Sequence, residues 1–185
     1  MPVEFITARL NARVRPLDRG QIWEDPLNEI LEARKLGTIT GGGSQLGPTR
    51  EIVFCDIEIE ANDSSAETLT LITETLTRLG APKGSKLILI DPKREIPFGT
   101  NEGLAVYLNG SELPAEVYQT SDVNFVFSEF DRLLIPEGQV YSYHEGATET
   151  ALYMYGPSFQ TMKDRLSEFI ASYPLCQNAR VEQIA

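Results

Sequence analysis

The stretch Phe5-Ile6-Thr7-Ala8-Arg9-Leu10-Asn11 alternates apolar and polar residues, and its Arg9-Leu10-Asn11 ending is answered by Tyr107-Leu108-Asn109 at the end of Leu104-Ala105-Val106-Tyr107-Leu108-Asn109. Outward from this pair the matches continue in order. Asp25-Pro26-Leu27-Asn28 answers Ser121-Asp122-Val123-Asn124, Gly41-Gly42-Gly43 answers His144-Glu145-Gly146, and Glu51-Ile52-Val53-Phe54 answers Glu149-Thr150-Ala151-Leu152. Residues 5–90 and 104–185 therefore read as one structural unit written twice. A repeat this long is a duplicated domain and not a solenoid, whose periods run to about 20–50 residues.

Within the first copy, Ile6, Ala8, Leu10, Ala12 and Val14 share one face of a strand over residues 5–15, and Thr7, Arg9, Asn11, Arg13 and Arg15 share the other. Pro16 ends that strand. Asp25-Pro26 predicts a helix start, with Asp as N-cap and Pro at the first position, and Leu27–Leu36 forms the helix. A hairpin follows over 38–46 and 51–60. Asn62-Asp63-Ser64-Ser65 opens a second helix with Leu69, Ile72, Leu76 and Leu79 at helical spacing, and residues 86–90 close the unit as a strand. Residues 91–102, with Pro92, Pro97 and Gly99, read as a linker. The second copy predicts strands over 104–109, 139–144, 148–155 and 179–184, with helices over 122–134 and 158–173.

The order strand–helix–strand–strand–helix–strand is the split βαβ, ferredoxin-like plan, with an antiparallel sheet and helices on one face. The fold class is thus α+β, two tandem βαββαβ repeats, divided as residues 1–92, a linker 93–102 and residues 103–185. Placed side by side or with open faces together, the halves cover their exposed surfaces within one chain. On this pattern the chain resembles single-chain pseudo-dimers of ferredoxin-like domains, which include small-molecule-binding and α/β-barrel-forming families. The resemblance is one of topology across the whole chain.

With 42% hydrophobic and 23% charged residues, the composition is that of an ordinary globular protein, with no apolar run of membrane-spanning length and no signal-like N-terminus. The 27 acidic and 16 basic residues give a net charge of −11. That disfavours nucleic acid, whose phosphates need a basic surface, and suits a basic protein partner. Cys55 and Cys176 follow no disulfide or metal spacing, so a reducing, cytoplasmic setting is expected.

Alternation also lists what the open sheet faces carry. If Val53, Cys55, Ile57 and Ile59 point to the helices, then Phe54, Asp56, Glu58 and Glu60 face away, beside Arg9, Arg13 and Arg15. That face is a charged binding surface or a ladder of cross-strand ion pairs, and the arginines speak against a divalent metal. The second copy places Tyr107, Tyr153 and Tyr155 outward, with Tyr141 and Tyr143 together on one face of their strand. Tyrosine suits a ligand surface or a seam between repeats. His144, the sole histidine, stands beside Glu145 and would have to serve any imidazole chemistry. Gly41-Gly42-Gly43-Ser44 is not a phosphate loop, because the glycines fall within a strand and do not lead into a helix.

Three functions follow from this reading. The first is a non-catalytic binding protein, an acidic inhibitor of a basic protein; in size and composition the chain resembles bacterial immunity proteins. The second is a small-molecule binder using Tyr107, Tyr143, Tyr153, Tyr155, Phe54, Arg9 and Glu58. The third is an enzyme acting through His144 and Glu145. No cofactor or metal is expected.

Overall fold

A computed structural model describes residues 3–90 and 93–185, and in it the chain divides into two compact units. Met1 and Pro2 of the N-terminal reading, and Asp91 and Pro92 of the expected linker, lie outside the described residues. The first unit runs up to Pro48 and resumes over Ile52–Asn101, while Thr49–Glu51 belong with Glu102–Ala185 in the second.

The first unit contains β1 (Glu4–Leu10), α1 (Pro16–Arg19), a π-helical turn (Gly20–Glu24), α2 (Asp25–Ala33), β2 (Gly37–Leu46), β3 (Ile52–Ala61), α3 (Ala66–Arg78), β4 (Ser85–Leu89) and β5 (Arg94–Phe98). Its antiparallel sheet has the order β2-β3-β1-β4-β5, the ferredoxin-like order with one strand added at an edge. The alternating apolar set is buried as the pattern predicts: Ile6, Ala8 and Leu10 on β1, then Ala12 and Val14 beyond it. Cys55, Ile57 and Ile59 of β3, Leu27 and Leu31 of α2, and Leu69, Ile72 and Leu76 of α3 are buried with them. Each large aliphatic side chain so buried contributes roughly 1.5–3 kcal/mol.

Two expectations need correction here. Asp25 is not the N-cap of a new helix, because the helical run already begins at Pro16, whose fixed φ suits a first turn. Glu24, just before Asp25, keeps helical dihedrals (φ −67°, ψ −53°). Pro26 inside this run lacks an N–H and crowds the carbonyl of the preceding turn; the widened π turn, in which Asp25 N–H bonds the Gly20 carbonyl, makes room for it. The second correction concerns the linker. Arg94–Phe98 forms β5, with Ile96 opposite Leu87 and Pro97 opposite Lys86. Proline is tolerated there because β5 is an edge strand, so its missing N–H need not complete a ladder.

The second unit contains β6 (Glu102–Asn109), α4 (Ala115–Thr120), α5 (Val123–Leu134), β7 (Gln139–Glu145), β8 (Glu149–Gly156), α6 (Phe159–Ser172), a 3-10 turn (Pro174–Cys176) and β9 (Arg180–Gln183). The sheet order β7-β8-β6-β9 repeats that of β2-β3-β1-β4. Side-chain caps set the long helices: Ser65, Asp122 and Ser158 each accept a backbone N–H from the first turn of α3, α5 and α6. The core joins Leu104, Val106 and Leu108 of β6 to Val126, Phe130 and Leu134 of α5, Leu152 and Met154 of β8, and Met162 and Leu166 of α6.

The duplication extends to strand register, but it shifts the hairpin pairings read from the sequence: Gly43, not Gly41, answers His144, and Cys55, not Ile52, answers Thr150. Arg9 stands opposite Asp56 on β3 and Lys86 on β4, and Tyr107 opposite Ala151 on β8 and Arg180 on β9. The hairpin strands bulge at the same place, between Ile39 and Gly41 in β2 and between Val140 and Ser142 in β7. The chain is therefore an α+β protein of two tandem ferredoxin-like units. Among the described residues no helix is long and apolar enough to cross a membrane.

Candidate functional site

On the charged face of the first unit, Arg9 and Asp56 form a strong pair. Arg9 grips Asp56 with both arms, Nε to Oδ1 and Nη2 to Oδ2 at 2.9 Å each, and lies 4.0 Å over the Phe54 ring. The hydrogen bond to Asp56 raises the Arg9 guanidinium above its ordinary pKa, so it stays charged throughout. Glu58, expected beside Arg9, stands opposite Thr7 and is exposed. Arg15 lies beyond the end of β1 and pairs with Asp18 of α1. The face thus carries a bidentate cross-strand pair with an aromatic lid and, opposite Arg9, Lys86 paired with Glu95 at 2.9 Å, the geometry of structural support.

The glycine run serves an interior ion pair. Arg19 of α1 is buried; its Nε donates to Glu24 at 2.6 Å and its Nη1 to the Gly43 carbonyl at 2.7 Å and to Ser44 Oγ at 3.3 Å. A Cβ on Gly42 would lie 2.5 Å from the Asp56 carbonyl oxygen and 2.8 Å from Arg19 Nη2. Gly42 is bare because the guanidinium and β3 occupy its side-chain space. Neither Arg19 nor Glu24 stood out in the sequence, since a charged residue on a helix is ordinarily solvated.

The tyrosine face is buried. Tyr107, Tyr153 and Tyr155 are only 4%, 1% and 1% exposed. The hydroxyls of Tyr107 and Tyr153 both donate to Glu51 Oε2, at 3.0 and 2.9 Å. Tyr141 and Tyr143 do not share a face. The bulge between Val140 and Ser142 inserts one residue into the alternation, so Tyr141 meets the Tyr155 ring at 5.2 Å while Tyr143 meets Phe127 of α5 at 5.3 Å, edge to face. His144 and Glu145 are likewise parted. They follow each other on a strand and so point to opposite faces, His144 opposite Ala151 and Glu145 opposite Thr150. Of the two, Glu145 lines the cavity described next.

That cavity, about 550 Å³, lies within the second unit. Its walls are the end of β6 (Leu108, Asn109, Gly110), Tyr118 of α4, Ser121, the first two turns of α5 (Val123, Asn124, Phe127, Ser128), Tyr143 and Glu145 of β7, Thr150 of β8, and Leu175. The polar walls are held in place. Tyr118 O–H donates to the Asn109 carbonyl and accepts from Leu113 N–H, the Asn109 side-chain oxygen accepts from Ser111 and Glu112 N–H, and Ser128 O–H donates to the Asn124 carbonyl. Apolar walls with a few fixed polar groups, at this volume, are what a small-ligand site requires. A second hollow of about 560 Å³ in the first unit, between α3 and β5, draws on Thr73, Thr77, Arg78 and Phe98 and has fewer aromatic groups.

Of the residues named for a ligand from the sequence, Tyr143 alone lines this cavity; Phe54, Arg9 and Glu58 belong to the first unit, and Tyr107, Tyr153 and Tyr155 are buried away from it. Asn109, Tyr118, Asn124, Phe127, Ser128 and Thr150 were missed. Phe127 packs, partly buried, against the core beside Val126, Phe130 and Leu134, so its helical spacing reads as core and gave no separate signal of a cavity wall.

No protein-family model matches the chain, and no curated protein matches it. Among solved structures it is similar to the first two RRM domains of yeast poly(U) binding protein, at 10% identity and a TM-score of 0.26, covering 97% of this chain and 99% of that one. It is also similar to a putative monooxygenase from Lactobacillus acidophilus NCFM, at 10% identity and a TM-score of 0.33, covering 99% and 93%. Likenesses this distant do not bear on what the chain binds or does.

Proposed function

We propose that this chain is a binding protein whose second unit takes a small molecule in the cavity between α4, α5 and the β7–β8 hairpin. The observation that carries the reading is the cavity itself: about 550 Å³, walled by Phe127, Tyr143, Val123 and Leu108 and fitted with amide and hydroxyl groups fixed by their own hydrogen bonds. Preset walls lower the ordering cost of binding. The His144–Glu145 pair does not compete with this reading, because strand alternation sends the two side chains apart. The test is a thermal-shift screen of a fragment library on the natural chain and on Ser128→Phe, which places a ring in the cavity from an exposed helix position. Hits that raise the melting temperature of the natural chain and not of the variant support the reading. Hits indifferent to the substitution, or none, contradict it.

A second reading is carried by the net charge of −11: an acidic protein that inhibits or escorts a basic one. Its expected signature is a stoichiometric basic partner recovered from lysate at low salt and released at about 0.5–1 M, where the Debye length shrinks to a few ångströms. Recovery that ignores salt removes this reading.

A further inference from the structure

The two units provide an internal comparison of the cavity. By strand register, Tyr143, His144 and Glu145 of β7 stand where Gly42, Gly43 and Ser44 stand on β2, and Leu108 and Thr150 stand where Leu10 and Cys55 stand. In the first unit this place is filled by a cation from the chain itself. The buried Arg19 guanidinium bonds the Gly43 carbonyl and Ser44 Oγ, is neutralised by Glu24, and closes against the bare Gly42. In the second unit Leu108, Tyr143, Glu145 and Thr150 at corresponding positions line an open cavity, and the position of Ser44 carries a carboxylate, Glu145.

The charge pattern of the lining points the same way. Among the described residues that line the cavity, Glu145 is the one with a formal charge, and the remainder are aromatic, aliphatic, amide or hydroxyl. An anionic ligand would meet this carboxylate with no cationic side chain in the lining to offset the repulsion. A cation would find the carboxylate as partner and the Tyr143 and Phe127 rings as further support, since ring faces attract cations and a charged donor strengthens the hydrogen bond. The two rings meet edge to face at 5.3 Å, and both line the cavity that Glu145 lines.

We infer that the second unit's cavity takes an organic cation, a guanidinium or ammonium group on a short apolar stem, held by Glu145 with Tyr143 and Phe127 in the place that Arg19 fills in the first unit. This rests on the cavity being a ligand site, as proposed above. The apolar stem lies toward Leu108, Val123 and Leu175, and the cationic head toward β7.

The test is calorimetric titration of the full chain with three probes of matched size: 2-phenylethylguanidinium, 2-phenylethanol and 3-phenylpropanoate. The guanidinium is expected to bind about tenfold tighter than the alcohol, with the propanoate weakest. In Glu145→Gln that advantage disappears while the alcohol's affinity stays within about twofold, a substitution at an exposed position that leaves the fold intact. Equal or tighter binding of the alcohol or the propanoate overturns the cation assignment and leaves the cavity a ligand site. Guanidinium binding that Ser128→Phe does not weaken overturns its location. No heat from any probe also overturns this inference, whereas the broader reading falls only if the fragment screen is empty or its hits ignore Ser128→Phe.

Discussion

Gly42 is the residue on which the interior ion pair of the first unit depends. Its absent side chain leaves room for Arg19, and a methyl group there would lie 2.5 Å from a backbone carbonyl of β3 that cannot move without disturbing the sheet. Gly42→Ala is expected to cost about 1–3 kcal/mol in urea unfolding. Arg19→Ala leaves Glu24 without its partner and is expected to cost about 3–5 kcal/mol; a near-neutral result for either would contradict this account of the site. The two thiols give a pH prediction. Burial pushes Cys55 up to about 12 and Cys176 up to about 11, from an ordinary 9.0, so the folded chain keeps protons that the unfolded chain gives up. Their contribution to stability is full below about pH 9 and is lost as pH rises from there toward the folded values. The native protein should therefore react slowly with a thiol reagent at pH 8, react twice after denaturation, and show a lower urea midpoint at pH 10 than at pH 7. Fast reaction of the native protein would contradict the burial of both.

At the scale of elements, strands and long helices were legible because period-two alternation, the turn residues and the caps Ser65, Asp122 and Ser158 agree with one another. The start of the first helix was not. Arg15 offers no side-chain cap, and Pro16 reads equally as the end of a strand or the first residue of a helix. The short α4 has too few turns to show a period, and β5 was hidden by Pro97, which is tolerated only because the strand is at an edge. The bulge in β7 had the largest consequence. Alternation assumes two residues per repeat, and one inserted residue at Tyr141 redirected Tyr143 and Glu145 toward the cavity. Deleting Tyr141 restores a regular ladder without changing which face Tyr143 and Glu145 occupy. We expect the variant to fold, losing about 1–3 kcal/mol with the Tyr141–Tyr155 contact, and to keep fragment binding. Loss of binding in a folded deletion variant would show that the bulge does more than set direction.

For the whole molecule, the duplicated plan was legible from landmarks such as Asn11 and Asn109, and it now carries the functional argument. Two copies of one frame diverged at corresponding positions, one closing over Arg19 and the other leaving a cavity beside Glu145. That divergence could not be read from sequence, because the walls come from five separate segments and Tyr118, Phe127 and Thr150 meet only when the unit is folded. The charge of −11 belongs to the molecule as a whole and bears on which macromolecules approach it, not on the contents of the cavity.

The most direct measurement is a ¹⁵N–¹H correlation map of the full chain, titrated with the fragments that raise its melting temperature. The account predicts that the shifted amides cluster at Asn109, Asn124, Phe127, Tyr143 and Glu145, with the equivalent positions Gly42, Gly43 and Ser44 of the first unit unmoved. Shifts spread over both units, or centred on Arg9 and Phe54, would contradict it.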